Sequence, residues 1–235
     1  MCERRATRDE LGSERVDASP RERLSFTPEL ASGSRSPLAS RSPLVGSLTH
    51  PPQTSVYGDH SGAWVDESTP TQPNTPSAEK YVKSEDLLRS LGRLNVTVNI
   101  FRCAGIYGDG RSAADTILKR GAGNEQPRDD AKPLYTSRIH VKDIASAIET
   151  KMRMDWEGAA GGVTVFNLSD DEPSRRIDAF DFAAELLGVR EGDWSGGGRS
   201  KSNKRVRNDK LRELVGRLEY PTFREGITEI VKNMN

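Results

Sequence analysis

The sequence predicts an α/β protein with a parallel sheet, whose strands are joined by crossover helices. Two observations favour this class. Short runs rich in β-branched residues, NVTVNIFRC and VTVFNL, alternate with segments of helical periodicity. The chain of 235 residues is also long enough to bury a sizeable core. Its 35 Lys+Arg balance 35 Asp+Glu, so no overall charge directs it toward nucleic acid or an anionic membrane.

Residues 1–53 differ in composition from the rest of the chain. They contain eight arginines, no lysine and the near-repeat SRSPLASRSPLVG, with little apolar periodicity. Such a segment cannot bury enough apolar surface to offset its chain entropy. We therefore expect a disordered, low-complexity leader, and we expect the folded part to begin at Thr54.

The elements of the folded part follow from local patterns. TSVYGD is typical of a strand end that runs into a loop, and Ser77 is the expected cap of a helix that Gly92 ends. AGNEQPRDDAKPLY has no period and predicts a long loop. The remaining segments predict, in order, a buried strand, two helices, a strand and three helices: NVTVNIFRCAG, SAADTILKR, HVKDIASAIETKMRM, VTVFNLSD, SRRIDAFDFAAELLG, DKLRELVG and REGITEIVKNM.

Cysteine usage and hydropathy bear on the compartment. Cys2 and Cys103 lie far apart and have no metal-ligand spacing, so we expect neither a disulfide framework nor a zinc site. No apolar run approaches the roughly 20 residues of a membrane span. We expect a cytoplasmic protein without a membrane partner, and a plastid location stays open if the true amino terminus is missing from this sequence.

One glycine-rich pattern follows a predicted strand and opens a predicted helix. Residues 108–113 match GxGxxA, which is the context of a dinucleotide-binding turn. The acidic residue that should follow about 20 positions later on a second strand is absent. Two other interpretations stay open: Arg111 and the helix amides could meet an anionic part of a substrate, or the glycines could serve a tight turn.

Two further features are weaker indicators of function. The basic run of residues 199–212 could contact phosphates, but it lacks interleaved aromatic residues, and we expect a solvated loop rather than a nucleic-acid site. His140 could move a proton, yet it has no nearby His or Cys, and a structural role is favoured. None of the five tyrosines precedes a lysine in a YxxxK motif.

Taken together, several segments resemble one family. They are TSVYGD, a helix containing EDLL, NVTVNIFRCAGIYGDGR, SRIHVKDIASAI, VFNLSDDEP and KRVRNDKLRELVGRLEYPTFREGI. Over residues 54–235 the chain resembles the NAD-dependent epimerase/dehydratases, which are extended and atypical short-chain dehydrogenase/reductases. That resemblance implies a Rossmann domain for NAD or NADP, a small carboxy-terminal substrate domain, and sugar-nucleotide substrates.

The resemblance also implies site residues. The turn at Cys103, Ala104 and Gly105 corresponds to backbone that faces the nicotinamide ring. Arg111, Arg138 and His140 correspond to loops that border the substrate cleft, which would place the GxGxxA pattern on the substrate side.

The chain departs from the family where catalysis is expected. Residues 1–53 contain no glycine-rich turn for the cofactor pyrophosphate. The position of the catalytic Ser/Thr is Gln53, and counting back from Glu85 puts Ser77 and Tyr81 at the positions of the YxxxK tyrosine and lysine. The catalytic residues are therefore unknown, and whether the chain is an enzyme is left open.

Two functional hypotheses follow. The first is an NAD(P)-dependent epimerase/dehydratase-like oxidoreductase, amino-terminally truncated and impaired. The second is a non-catalytic fragment or binding module, from an incomplete gene model or with a homo-oligomer or partner that covers an exposed sheet edge. We expect residues 54–168 to form the second half of the Rossmann-like domain with a substrate-loop insertion. Residues 169–235 should add a crossover helix and the rest of the substrate domain.

Overall fold

The computed structural model describes residues 53–93, 96–120, 134–158, 161–189 and 202–234. The predicted leader, apart from Gln53, and most of the predicted loop of residues 122–135 lie outside this part. The strands are β1 (Trp64–Val65), β2 (Thr97–Cys103), β3 (Gly105–Tyr107), β4 (Tyr135–Thr136), β5 (Arg138–His140), β6 (Gly162–Leu168), β7 (Ser174–Arg175) and β8 (Arg205–Val206). The helices are α1 (Pro76–Gly92), α2 (Ala113–Arg120), α3 (Val141–Gly158), α4 (Arg176–Leu187), α5 (Asp209–Val215) and α6 (Phe223–Met234).

The centre of the fold is the parallel pair β2 and β6. They are in register from Thr97 opposite Gly162 to Cys103 opposite Leu168. The connection between them passes through α3, as a crossover between parallel strands requires. The parallel sheet predicted from the two β-branched runs is thus confirmed.

Helices cover both faces of this pair. On one face, Val98 and Ile100 of β2 pack in a cluster with Leu88 of α1. On the other face, Phe101 and Cys103 pack in a cluster that includes residues of α3 and α5. Because helices cover both faces, β2 is buried along its whole length, although three of its seven residues, Thr97, Asn99 and Arg102, are polar.

The remaining strands form three short pairs at the carboxyl end of the central strands. β1 pairs in parallel with β8, β3 pairs in parallel with β5, and β4 pairs antiparallel with β7. Helices α2, α4 and α6 pack together beside them. Their shared core is Ala114, Ile117, Ala179, Phe180, Ala183, Ala184, Phe223, Ile227 and Val231.

Two local predictions are corrected. Helix α1 begins one residue after Thr75, whose Oγ1 accepts the backbone N–H of Ala78, so the cap is Thr75 and not Ser77. Pro76 then occupies the first helical position, where its missing N–H costs nothing. Residues Thr54–Tyr57 form a turn of 3-10 helix rather than a strand end, although Gln53 pairs in parallel with Cys103.

Contacts cross the boundary predicted between residues 168 and 169. β8 and α5 come from the later segment, yet β8 pairs with β1, and α5 packs against β6 and α3. The reverse holds for α2, which packs against α4 and α6. The division into two domains stays a prediction.

None of the helices in the described segments has the length and apolar character that crossing a membrane requires. Cys103 is a free thiol and is buried.

A close contact between α6 and β3 provides a test of this packing. A Cβ added at Gly226 would lie 2.5 Å from Tyr107 Oη and 2.6 Å from its ring, and Tyr107 is buried. We expect Gly226→Ala to lower the free energy of unfolding by about 1–3 kcal/mol, measured by urea denaturation. Gly158→Ala is the matched control, because a Cβ there meets nothing within 4 Å. Equal stability of the two variants would contradict the described contact.

Candidate functional site

The candidate site lies at the carboxyl ends of β2 and β6. In open α/β sheets, ligands bind outside the carboxyl ends of the parallel strands. Here the sixth residue of each strand is polar, and the register puts Arg102 opposite Asn167. Both side chains are buried, on the face of the sheet that α1 covers. The polar groups that meet at this edge therefore define the site.

Arg102 is the centre of a buried polar network. Its Nε and Nη2 donate to the two carboxylate oxygens of Glu85 at 2.9 and 2.7 Å. Its Nη1 donates to the hydroxyl of Tyr57 at 2.8 Å, and that hydroxyl donates to Asn167 Oδ1 at 2.7 Å. All four side chains are at most 2% exposed. The network joins α1, both central strands and the Thr54–Tyr57 turn.

The charges in this network stabilise one another. Burial alone would lower the pKa of Arg102, but the hydrogen bonds to Glu85 and Tyr57 and the charge of Glu85 raise it above its ordinary value. Burial raises the pKa of Tyr57, and Arg102 opposes that effect without reversing it. Tyr57 is therefore a neutral hydrogen-bond donor near pH 7 and is not poised as a base.

The positions that the resemblance assigns to catalysis are found at the start of the described chain. Gln53 is exposed, and its backbone pairs with Cys103 at the end of β2. Ser77 is exposed in the first turn of α1, and Tyr81 is half-buried beside the cluster of Val56 and Tyr57. The fold thus places these positions near the site edge, with side chains that differ from the family's.

The predicted cofactor-facing turn follows β2 directly. Cys103 is buried, and burial raises the pKa of its thiol to about 12. The amide of Ala104 donates to the carbonyl of Leu168 at 2.9 Å, and that of Gly105 donates to the carbonyl of Ser137 at 3.0 Å. Gly105 is exposed, so the backbone surface of the turn is accessible while its amide donors are already used.

The parallel pairing of β3 and β5 brings this turn beside two of the predicted substrate residues. Gly105 is in register with Arg138, and Tyr107 with His140. The guanidinium of Arg138 is buried and donates to Ser174 Oγ at 2.8 Å and to backbone carbonyls of Thr136 and Arg175. These bonds fix Arg138 in place as a buried cation that faces its own chain.

Asp170 lies one residue beyond Ser169, which follows β6, and its backbone N–H donates to the carbonyl of Arg138 at 2.6 Å. Its carboxyl group is buried, and neither oxygen has a hydrogen-bond partner. Burial raises its pKa well above the ordinary value, and the charge of Arg138 opposes that shift. A carboxyl group kept from water in this way favours its protonated form.

His140 is enclosed by aromatic rings. Its ring centroid lies 5.1 Å from that of Tyr107 and 3.9 Å from that of Tyr220. Its Nδ1 accepts the backbone N–H of Lys142 at 3.3 Å, which leaves Nε2 as the protonated nitrogen of the neutral ring. Burial lowers the pKa of His140, and Asp143 opposes that shift. The surroundings are those of a packed, neutral histidine at pH 7.

Arg111 is exposed in the tight turn that follows β3. The backbones of Gly108 and Arg111 exchange hydrogen bonds of 3.2 and 3.0 Å. The next helix, α2, is capped by its own side chains, since Asp115 Oδ2 accepts from the backbone N–H and the hydroxyl of Ser112. This carboxylate occupies the place where an anion would meet the helix start. The turn therefore presents the Arg111 side chain but no anion cradle.

A segment from the far end of the chain closes over the same edge. Residues 202–207, here termed the strap, run beside residues 58–65. His60 and Gly62 both donate backbone N–H groups to the Asn203 carbonyl, and Asn203 N–H donates to Asp59 Oδ1 at 2.9 Å. Asn167 Nδ2 donates to the carbonyl of Arg207 at 3.3 Å, which ties the strap to β6.

Lys204 is the buried residue of the strap, with 6% of its surface exposed. Its Nζ donates to the Gly58 carbonyl at 3.1 Å and to Ser202 Oγ at 3.0 Å. Burial lowers its pKa to about 8, and Asp59 opposes that shift. The expectation of a solvated basic loop over residues 199–212 is therefore wrong for its described part, because this part forms a buried strap and helix α5.

The described residues by themselves do not fit NAD or NADP. The turn at Ala104 and Gly105 has no free backbone amide that could bind the carboxamide of a nicotinamide ring. The start of α2, after the Gly108 turn, is already occupied by the carboxylate of Asp115. No further glycine-rich turn between a strand and a helix is found in the described segments. Those segments also hold no cluster of three or more potential metal ligands. We therefore derive no chemical step through a cofactor.

Sequence reasoning missed the roles of Arg102, Glu85 and Asn167. A signal existed for the first of these, because an arginine inside a strand that is predicted to be buried requires a buried partner. The partner could not be read from the sequence, since Glu85 lies in a helix among several other exposed acids. Lys204 gave no signal, because it lies in a run rich in basic residues and nothing in that run marks one of them as buried.

Comparison with known proteins identifies solved structures that share this fold. No family model matches the chain, and a search of curated proteins finds no match. Solved structures do match. A conserved protein of unknown function from Silicibacter pomeroyi DSS is 34% identical, with a TM-score of 0.64, over 77% of this chain and 64% of that one. A structure described as a putative NAD-dependent epimerase/dehydratase from Methylobacillus flagellatus is 25% identical, with a TM-score of 0.61, over 77% and 62%.

A more distant match shares the fold. The dTDP-glucose 4,6-dehydratase from Bacillus anthracis, solved in complex with NAD, is 21% identical, with a TM-score of 0.59, over 77% of this chain and 58% of that one. The chain therefore spans about three fifths of the length of these structures. The matches confirm the Rossmann-like α/β class and the resemblance to the epimerase/dehydratases.

The buried pair of Arg102 and Glu85 can be tested by removing one partner. Glu85→Leu would leave the Arg102 guanidinium buried without its carboxylate, so we expect a loss of about 3–5 kcal/mol in the free energy of unfolding, measured with urea. The double variant Glu85→Leu/Arg102→Met should recover most of that loss. Arg89→Met is the control, because Arg89 is exposed and lies 3.8 Å from Glu85, and it should cost under about 1 kcal/mol. A Glu85→Leu variant as stable as this control would refute the network.

Lys204 gives a pH test. Its pKa in the folded state, about 8, lies below the ordinary 10.5, so the unfolded chain binds its proton more tightly. The cost of burying the charged amine is present below pH 8 and is relieved as the pH rises from 8 to 10.5. Relative to Lys204→Met, the wild type should gain about 3 kcal/mol of stability across that window. Parallel profiles from denaturation at several pH values would contradict this expectation.

Proposed function

We propose that this chain, which has the fold of the NAD-dependent epimerase/dehydratases, forms the sugar-nucleotide side of such an oxidoreductase and is impaired in hydride transfer. The support comes first from the 25% identity to the structure described as a putative NAD-dependent epimerase/dehydratase. It also comes from the position of the candidate site at the carboxyl ends of β2 and β6. The Bacillus anthracis dehydratase, named for a sugar nucleotide and solved with NAD, suggests the ligand classes.

The proposed impairment in hydride transfer rests on the positions and pKa values of the tyrosines. Short-chain dehydrogenase/reductases, by the resemblance, use a tyrosine made acidic by a lysine one helical turn later. Here that pair is replaced by Ser77 and Tyr81, on the first turns of α1. The pKa values of Tyr57, Tyr107 and Tyr220 are all raised, chiefly by burial, so none of these three is a proton acceptor near pH 7.

The residues assigned to the substrate divide into two groups. Arg111 is exposed and makes no ion pair within the described residues, so it is the side chain free to meet a diphosphate or a sugar acid. Arg138 and His140 are buried and act on the cleft through the backbone that they hold, rather than by direct contact. Cys103, Ala104 and Gly105 remain the proposed contact with the nicotinamide side of a cofactor.

A second function is a binding module that holds a sugar nucleotide without turning it over. It is favoured by the same tyrosine pKa values and by the absence of a cofactor-ready glycine turn in the described segments. The two proposals share a ligand and differ in whether NAD or NADP binds.

The cofactor half of the proposal is tested on the full chain with NADH and NADPH, using the fluorescence of the reduced nicotinamide. We expect binding weaker than micromolar for both, because the pyrophosphate lacks a glycine-rich turn. Micromolar, saturable binding of either would overturn the impairment.

The substrate half is tested with UDP-glucose by saturation-transfer NMR on the full chain. We expect the wild type to bind UDP-glucose. Arg111→Gln should bind it with an affinity about tenfold lower, since one charge-assisted contact is lost. Arg217→Gln is the matched control, an exposed arginine beyond α5 that should leave affinity unchanged. No UDP-glucose signal for the wild type would refute the proposed substrate class. Equal affinities of the wild type and Arg111→Gln for UDP-glucose would show that Arg111 does not contribute to the site.

A further inference from the structure

The outward face of the β1–β8 pair holds two arginines against one aromatic ring. Trp64 is in register with Arg205, and the guanidinium carbons of Arg205 and Arg207 lie 5.1 and 5.2 Å from the centre of the Trp64 ring. Arg205 also lies 4.9 Å from the ring centre of Tyr135. The opposite face of the pair is formed by Val65 and Val206, which are buried. The face of Trp64, Arg205 and Arg207 is named here the arginine face.

The cations of the arginine face are not neutralised. Neither guanidinium forms an ion pair with a carboxylate of the described residues. Arg205 is half-buried and uses its Nε for the Gly62 carbonyl at 2.7 Å, whereas the Arg207 side chain is exposed. Arg212, by contrast, is paired with Asp171 at 3.2 Å. The two guanidiniums beside the Trp64 ring, without a carboxylate partner among the described residues, form a cationic surface to which an anion can bind.

The backbone holds the arginine face in place. Arg205 N–H donates to Ala63 O at 2.9 Å and Arg207 N–H to Val65 O at 2.8 Å, while Asn167 Nδ2 binds the Arg207 carbonyl. Because Asn167 is the second-last residue of β6, the face stands at the carboxyl edge of the parallel strands, where such sheets bind ligands. Guanidiniums stacked on aromatic rings lose less freedom when they bind an anion.

The chemistry of the face selects the ligand. A phosphate monoester carries close to two negative charges near neutral pH, which matches two guanidiniums, whereas a carboxylate carries one. The Trp64 ring is 43% exposed, so its uncovered part can contact the group that bears the phosphate. We propose that the arginine face binds the terminal phosphate of a small phosphorylated molecule. This site uses none of the residues assigned to the cofactor or the sugar nucleotide.

The test uses the full chain with uridine monophosphate and with inorganic phosphate, followed by calorimetry and by tryptophan fluorescence. We expect wild-type binding that Arg207→Gln weakens by about tenfold, because one of two charge-assisted contacts is lost. Arg207 is the chosen position since its side chain holds no backbone group of the fold. Arg153→Gln, which removes an exposed arginine from α3, is the matched control and should bind like the wild type.

The two probes distinguish a phosphorylated organic ligand from free phosphate. Tighter binding of uridine monophosphate than of inorganic phosphate, with both weakened by Arg207→Gln, supports a phosphorylated organic ligand. Binding of inorganic phosphate alone supports the phosphate site with free phosphate as its ligand. Absence of wild-type binding to either probe, or equal affinities for Arg207→Gln and the wild type, overturns the proposal. UDP-glucose lacks a terminal phosphate, so its binding through Arg111 is decided separately.

Equal melting temperatures of the wild type and Arg207→Gln show that an altered affinity is not caused by unfolding. If Arg207→Gln were unstable, Arg207→Lys would replace it, because lysine keeps the charge but loses the planar, two-pronged donor. We expect an intermediate affinity for that variant. An affinity for Arg207→Lys equal to that of the wild type would show that the geometry of the guanidinium is irrelevant and would overturn the stacked site.

Discussion

The described fold depends on the burial of one positive charge inside a parallel sheet. Arg102 occupies a strand position that is closed on both faces, so its guanidinium has no water to solvate it. A charge in that position is tolerated only if nearly every donor has an acceptor. Glu85 and Tyr57 supply those acceptors, and their positions are thereby fixed. Helix α1 and the Thr54–Tyr57 turn dock on the sheet in one way because any other docking would leave the charge unpaired.

This constraint also shapes the edge where ligands would bind. The Tyr57 hydroxyl donates a hydrogen bond to Asn167, and Asn167 in turn donates to the Arg207 carbonyl of the strap. The chain of contacts runs from a helix, through two strands, to a segment that lies far along the sequence. The exposed groups at the edge, Arg111 and the arginine face, stand on this rigid polar base. Groups held in this way need little reordering when a ligand arrives.

Much of the architecture was predictable, and the reasons are local. The strands β2 and β6 are β-branched and apolar, and helix α4 ends at Gly188 in the left-handed conformation that glycine adopts most easily. Such features depend on neighbours in the sequence. The cap of α1 was assigned to the wrong residue because Thr75 and Ser77 are both good caps and only the position of Pro76 decides between them.

The site was less predictable, because its contacts join distant residues. The Tyr57–Asn167 bond spans 110 positions, and the contact of Lys204 with Gly58 spans 146. Contacts between such distant residues leave no periodic pattern in the sequence. The resemblance to a family assigned Arg111, Arg138 and His140 to cleft-side loops, but it could not say that Arg138 and His140 would be buried while Arg111 stays exposed. Burial depends on the helices α4 and α6 that pack beside them, which is a property of the assembled core.

The strap has a consequence for how this protein is made. Residues 202–207 pair with residues 58–65, so the edge of the sheet stays open until residues 202–207 have left the ribosome. Contacts between such distant segments form late, because the loop between them must close first. During synthesis the Trp64 ring and the buried polar groups beneath it are therefore exposed to the cell. A ribosome that stalls before residue 202 releases a product with its ligand edge unfinished, which is a natural substrate for chaperones and proteases.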